Sequence, residues 1–200
     1  MSSSLCALVL AAGASKRMPG KIKQLLPWGH TTLMGNAIEA VVSVVDRVHV
    51  VLGAHAEILA SHLPGSVRAS INPKWEEGMG TSLAFGISQI LETEKNPDGL
   101  LIVLSDQPFM DTSYFKSLKK IYDERKAIKI VATQYDTGRF GVPAIFDASF
   151  FPELKKLNKD FGAKRIIRSN LKATHFLEPG GKEIDIDTFD MYQQLYNKTK

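Results

Sequence analysis

The apolar residues of this chain fall into short unbroken runs, and between the runs they recur at helical spacing. Leu5 to Leu10, Val48 to Leu52, Val67 to Ile71, Gly99 to Leu104 and Ile128 to Thr133 have the length and branching of strands. The run Leu-Leu-Ile-Val-Leu at 100–104 is apolar at every position, as an interior parallel strand should be. Helices are predicted between the runs. One is capped by Thr31 or Thr32 and carries Leu33, Ala37, Ile38 and Val41, and others cover Ala56 to Leu63 and about Thr81 to Leu91. Asp111-Thr112 caps a further helix ending near Glu124. Phe150 to Leu157, Ala163 to Ser169 and Thr188 to Tyr196 complete the helical set. Val142 to Phe146 reads as an edge or crossing strand, because Pro143 cannot donate a ladder hydrogen bond. Ala173 to Leu177 and Glu183 to Ile186 read as short strands. Strand and helix alternate throughout, which predicts an α/β fold.

Two hundred residues, 44% hydrophobic and 23% charged, suit one domain spanning 1–200. The formal charge of +4 suits an anionic small substrate. No dense Lys/Arg block with interleaved aromatics points to nucleic acid, and no apolar run approaches the ~20 residues of a membrane span. Cys6 is the single cysteine and the five histidines lack zinc-ligand spacing, so neither an internal disulfide nor a thiolate metal cluster is expected. A cytoplasmic, reducing setting follows as the expectation. The apolar N-terminus has no preceding Lys or Arg, which argues against a secretion signal.

Candidate chemistry begins where the first run ends. Leu10-Ala11-Ala12-Gly13-Ala14-Ser15 is a small-residue loop followed by Lys16 and Arg17, with Lys23 further on. Backbone N–H groups can approach an anion where side chains are small, Arg17 can bind phosphate bidentately, and Lys23 offers a point charge. The pattern is no Walker A loop, and on composition alone it suits a phosphate cradle and an ordinary strand-to-helix turn equally. Gly78-Met79-Gly80-Thr81-Ser82 opens a helix, where a plain cap by Thr81 or Ser82 competes with ligand binding. Asp106 follows the fourth strand, where open α/β sheets place ligand-binding groups, although a turn aspartate is the simpler alternative.

Taken together these motifs resemble the molybdenum cofactor cytidylyltransferase group of nucleotidyltransferases. The resemblance runs over nearly the whole chain: Leu-Ala-Ala-Gly-x-Ser-x-Arg-Met at 10–18, Lys23 before Gln-Leu-Leu-Pro, Asn72, Trp75, Gly78, Met79, Ser82, Leu83 and Gly86, Ser105 to Pro108, Gly138 to Pro143, Asp160 to Lys164, and Asp185 to Thr188. It implies a Rossmann-like, three-layer nucleotidyltransferase domain of GT-A-like type, with a mostly parallel central sheet and helices on both faces. Residue by residue it implies that Arg17 and Lys23 bind the triphosphate, and that Leu10, Ala11, Ala12 and Gly13 hold the nucleotide. Gly78 and Ser82 would contact base and ribose. Asp106 would bind Mg²⁺, with Mn²⁺ as the alternative metal and Asp187 chosen over Asp185 as second carboxylate. Arg139, Asp160 and Lys164 would face the acceptor, with Arg165 beside them.

The implied reaction is transfer of CMP from CTP to the terminal phosphate of molybdenum-bound molybdopterin, with release of pyrophosphate. A molybdenum hydroxylase would receive the product. Another acceptor such as a sugar phosphate, GTP in place of CTP, and a non-catalytic cofactor chaperone are the competing expectations. The chain departs from the family pattern at several points: Pro19-Gly20-Lys21-Ile22 lengthens the gap before Lys23 by one residue, Ser105 and Lys159 stand where glycines are usual, Lys164 replaces an arginine, and Val142 replaces a frequent histidine.

Overall fold

The computed structural model describes residues 3–94, 96–125, 127–136, 138–159 and 161–198. The elements are β1 (Leu5–Ala11), β2 (Pro27–Trp28), β3 (Thr31–Thr32), α1 (Leu33–Val42), β4 (Arg47–Leu52), α2 (Ala56–Ala60), β5 (Arg68–Ile71), α3 (Met79–Thr93), β6 (Gly99–Leu104), α4 (Thr112–Glu124), β7 (Ile130–Asp136), β8 (Arg139–Asp147), α5 (Phe151–Leu154), α6 (Lys164–Ser169), β9 (Thr174–Leu177) and α7 (Phe189–Lys198).

Seven strands form one sheet in the order β5-β4-β1-β6-β8-β7-β9, while β2 and β3 make a separate antiparallel pair. β5, β4, β1 and β6 are parallel, β8 is antiparallel to both neighbours, and β9 is parallel to β7. Alternate side chains of β1 enter opposite cores, as the two-residue period of a strand requires. Ala7, Val9 and Ala11 pack with Met34, Ile38 and Val41 of α1 and with Phe115 and Leu118 of α4. Cys6, Leu8 and Leu10 pack with Leu83, Ile87 and Ile90 of α3 and with Ile166 and Ile167 of α6. The sheet is therefore covered on both faces in a Rossmann-like, three-layer α/β arrangement, as expected. Among the described residues no helix is long and apolar enough to cross a membrane.

Three expectations fail here for physical reasons. β8 lies between β6 and β7 and is neither an edge nor a crossing strand. Its proline is tolerated because the β7–β8 register breaks there: Ala132 pairs with Ala144 while Thr133 pairs with Gly141, so Val142 and Pro143 fall in a bulge. The Pro143 carbonyl is still satisfied, by the Thr133 hydroxyl at 2.6 Å. Glu183 to Ile186 is no strand. That segment alternates because fully buried Ile186 joins a third cluster with Met18, Trp28 and Tyr192, while the aspartates on either side face the polar edge. The α3 cap also differs, being Gly78 at φ 116° and not Thr81 or Ser82, so the helix starts earlier and Ser82 lies inside it.

Candidate active site

Strand order fixes where a cleft can open. β1 connects toward β4 and β6 lies on its other side, so the segments leaving β1 and β6 diverge at the carboxyl edge of the sheet. A cleft of about 340 Å³ lies there, walled by Ala12, Gly13 and Lys16 from the first loop, Lys23 and Gln24, Trp75, Glu76, Gly78 and Met79, Ser82, and Ser105-Asp106.

The first loop owes its shape to Gln24, which is 2% exposed. Its amide donates to the carbonyls of Ala11 at 3.3 Å and Gly13 at 2.8 Å, and its oxygen accepts from the Ser15 hydroxyl at 3.3 Å. Ser15, at φ 54°, reverses the chain and accepts the Lys23 N–H at 2.9 Å. Met18 is buried against the third cluster and Gly20 turns at φ 71°, which accommodates the extra residue before Lys23. A Cβ placed on Gly13 would come no closer than 4.0 Å to Gln24, and Gly13 has no positive φ, so neither backbone conformation nor packing demands a glycine. What its small size leaves is room in the cleft. Replacing Gln24 with Ala should cost about 1–3 kcal/mol of stability, since two carbonyls lose their donor, and should raise the nucleotide KM; urea melts and initial rates read the two effects separately.

The opposite wall is built from Asn72, which accepts the Lys74 N–H at 2.9 Å and donates to the Ser82 hydroxyl at 3.0 Å. Ser82 therefore keeps its own proton to donate. Gly80 permits the closest approach in this region, because a Cβ there would meet the carbonyls of Asn158, Phe161 and Lys159 within 2.8 Å. Lys159 itself sits at φ 49°, a conformation that explains why a glycine is the usual residue at this place.

Lys23 extends into the cleft, its ammonium 2.6 Å from Asp106 Oδ2, with side chains 15% and 22% exposed respectively. Asp106 Oδ1 is buried without a hydrogen-bond partner. The C-terminal segment returns to this point through the Ile186 N–H, which donates to the Asp106 carbonyl at 2.9 Å. Asp185 Oδ1 accepts from the Gln107 amide at 2.8 Å. Burial, then the neighbouring Asp106 and Asp187, push the Asp185 carboxyl above the usual aspartate range. The sign of the linkage follows. Above the unfolded value near 3.8 the unfolded chain ionises more readily, so the ionised Asp185 destabilises the fold at neutral pH. Asp185→Asn should therefore raise the melting temperature at pH 7, with the gain shrinking as pH falls through the raised folded-state value and gone below about 3.8, where both states are protonated.

The other expected residues are placed differently. Arg17 is outside the cleft lining, 67% exposed, and its guanidinium lies 2.6 Å from Asp187 Oδ1. Lys21 points away, with its ammonium 4.3 Å from the centre of the Phe189 ring. Lys164 and Arg165 open α6, near the rings of Phe140 and Phe161. Arg139 starts β8, and Asp160 lies outside the described residues. Among the described residues no group of three or more His, Cys, Asp or Glu side chains is arranged to hold a metal. Lys16, Gln24, Trp75 and Glu76 are cleft residues to which the sequence assigned no role, although Trp75 stands in the quoted motif and Gln24 adjoins the signature lysine.

The model of the MobA-like NTP transferase domain matches residues 7–175. Purine catabolism protein PucB of Bacillus subtilis is 29% identical over 97% of this chain and 97% of its own. Nicotine blue oxidoreductase of Paenarthrobacter nicotinovorans is 26% identical over 94% of each chain. The crystal structure of Rv0371c from Mycobacterium tuberculosis H37Rv has a TM-score of 0.84 at 25% identity, covering 98% of this chain and 99% of that one. Its complex with manganese gives 0.79 at 24% identity, with the same coverage. The chain belongs to the MobA-like NTP transferase domain family and is a nucleotidyltransferase.

Proposed function

We propose that this nucleotidyltransferase, acting over residues 1–200 as one domain, transfers CMP from CTP to the terminal phosphate of molybdenum-bound molybdopterin and releases pyrophosphate. The observation that carries the reading is the Lys23–Asp106 pair at the diverging ends of β1 and β6, facing a small-residue loop with room at Gly13. The Ala-Ala-Gly form of that loop is the feature that favours CTP over GTP.

The donor set suits a hard divalent cation. Mg²⁺ or Mn²⁺ takes oxygen ligands, and one or two carboxylates suffice when phosphate oxygens supply the rest. Asp106, with one orphaned oxygen, and Asp187 or Asp185 would hold it. When bound it would neutralise charge on the triphosphate and polarise the reacting phosphorus. Manganese in the Rv0371c complex is consistent with this assignment.

Both reactants are anions, and the attacking phosphate already carries its charge near neutral pH. Positioning and charge neutralisation therefore dominate over acid–base chemistry. Lys23 exchanges Asp106 for phosphate oxygens as the nucleotide enters, and Arg17, on an exposed stem, leaves Asp187 to join it. Ser82 donates to the nucleoside. Arg139, Asp160 and Lys164 serve the acceptor, and the product passes to a molybdenum hydroxylase in the cytoplasm. Calorimetric titration of the protein with CTP and GTP, each with Mn²⁺ present, tests the nucleotide half. CTP should bind at least tenfold more tightly, and a preference for GTP would overturn the assignment.

A further inference from the structure

A second pocket, of about 270 Å³, lies on the same edge of the sheet where β7 and β9 end. Gln134, Tyr135, Glu178, Pro179, Gly180, Gly181 and Glu183 line it. Glu183 is half-buried, and its Oε2 has no hydrogen-bond partner although the atom is fully enclosed. A buried acceptor left unpaired costs free energy, and rotation of the Glu183 side chain toward a donor seated in the pocket would relieve that cost. Gly180 and Gly181 adopt positive φ, and Cβ atoms built on them would meet nothing within 4 Å, so they leave that wall open. Nor is the pocket isolated from the nucleotide cleft. The Tyr135 hydroxyl shares the Gln107 amide with Asp185, which lies beside Asp106.

The chemistry of this lining is opposite to that of the first cleft. Two glutamates repel a phosphate, whereas an aromatic ring, a carboxamide and an unpaired carboxylate oxygen suit a flat heterocycle bearing N–H donors. From this juxtaposition we propose that the pocket binds the aminopyrimidinone end of the acceptor, with Glu183 accepting hydrogen bonds from its exocyclic amine and adjacent ring N–H, and Tyr135 lying against its face. The proposal rests on the pterin acceptor of the preceding section and adds a subsite at the opposite end of that molecule from its phosphate. A substrate seated there and a nucleotide in the first cleft meet across Asp106, Gln107 and Asp185.

The probe is 6-hydroxymethylpterin, which carries the ring and no phosphate, followed by its own fluorescence as protein is added. Lumazine, which lacks the exocyclic amine, is the control ligand. The unmodified protein should bind the pterin, bind lumazine at least tenfold more weakly, and lose about tenfold in pterin affinity on Glu183→Gln. Glu178→Gln, at the exposed rim, provides a second variant should Glu183→Gln fail to fold, and should weaken binding severalfold. No pterin binding by the unmodified protein, or equal affinity of both glutamine variants and the parent, overturns the subsite. Steady-state kinetics separate this failure from failure of the proposed reaction. CMP transfer to molybdopterin with an acceptor KM unmoved by Glu183→Gln removes the subsite alone, whereas pterin binding without any transfer keeps the subsite and removes the reaction.

Discussion

Asp106→Ala should lower turnover by roughly 10²–10³-fold or more while the melting temperature stays within a few degrees of the parent. Loss of one preorganised charge-stabilising group at a reacting centre typically has that size. Asp106 follows β6 directly, its Oδ2 holds Lys23 at 2.6 Å, and its Oδ1 has no protein donor. A carboxylate serving only as a turn residue would be expected to bond backbone N–H groups nearby. Here one oxygen meets a lysine 83 positions away and the other is buried without a partner, which suits a group waiting for a cation. Turnover measured across a Mg²⁺ titration checks the assignment. A variant with near-parental rate at saturating metal places the cation elsewhere.

Lys23→Ala has the second largest expected effect, a fall in kcat/KM for the nucleotide of about 10²-fold. The loss is twofold in origin. The triphosphate is deprived of its most buried cation, and Asp106 is left beside Asp185 with no positive neighbour as close. Lys21→Ala is the matched comparison, because its ammonium sits over the Phe189 ring, where a cation–π contact at an exposed site is worth about 0.5–1 kcal/mol. Turnover should therefore be unaffected by Lys21→Ala. The reverse pattern, with Lys21→Ala damaging and Lys23→Ala silent, would shift the triphosphate contact to the longer loop.

Much of the fold could be read from the chain because burial on both faces leaves an unambiguous mark. β1 and β6 are apolar at nearly every position, and the Thr32 and Asp111 caps bond the N–H groups of Gly35 and Tyr114 as the residue types predict. Pro143 misled because a proline signals a missing donor without saying whether an edge or a bulge absorbs the loss. Asp185-Ile186-Asp187 misled because alternation records only that one residue is buried between two polar ones, and Ile186 meets that need by plugging a small cluster without pairing to a strand. In the site, Lys23, Gly13, Ser82 and Asp106 come together because Gly13 and Asp106 follow predictable strands, Ser82 lies in the first turn of α3, and Lys23 opens the turn after the first loop. Arg17 and Asp187 were legible as charges but not as each other's partners, since 170 residues of chain separate them. Gln24 and Tyr135 escaped notice because their roles depend on the folded positions of carbonyls and amides that no spacing encodes.

The most direct measurement is pyrophosphate release from each of CTP, GTP, ATP and UTP with Mg²⁺, in the presence and absence of molybdenum-loaded molybdopterin. The account predicts release from CTP that depends on the acceptor, matched mole for mole by a cytosine dinucleotide of the expected mass. Preferential release from GTP, or release from CTP at the same rate without molybdopterin, would contradict it.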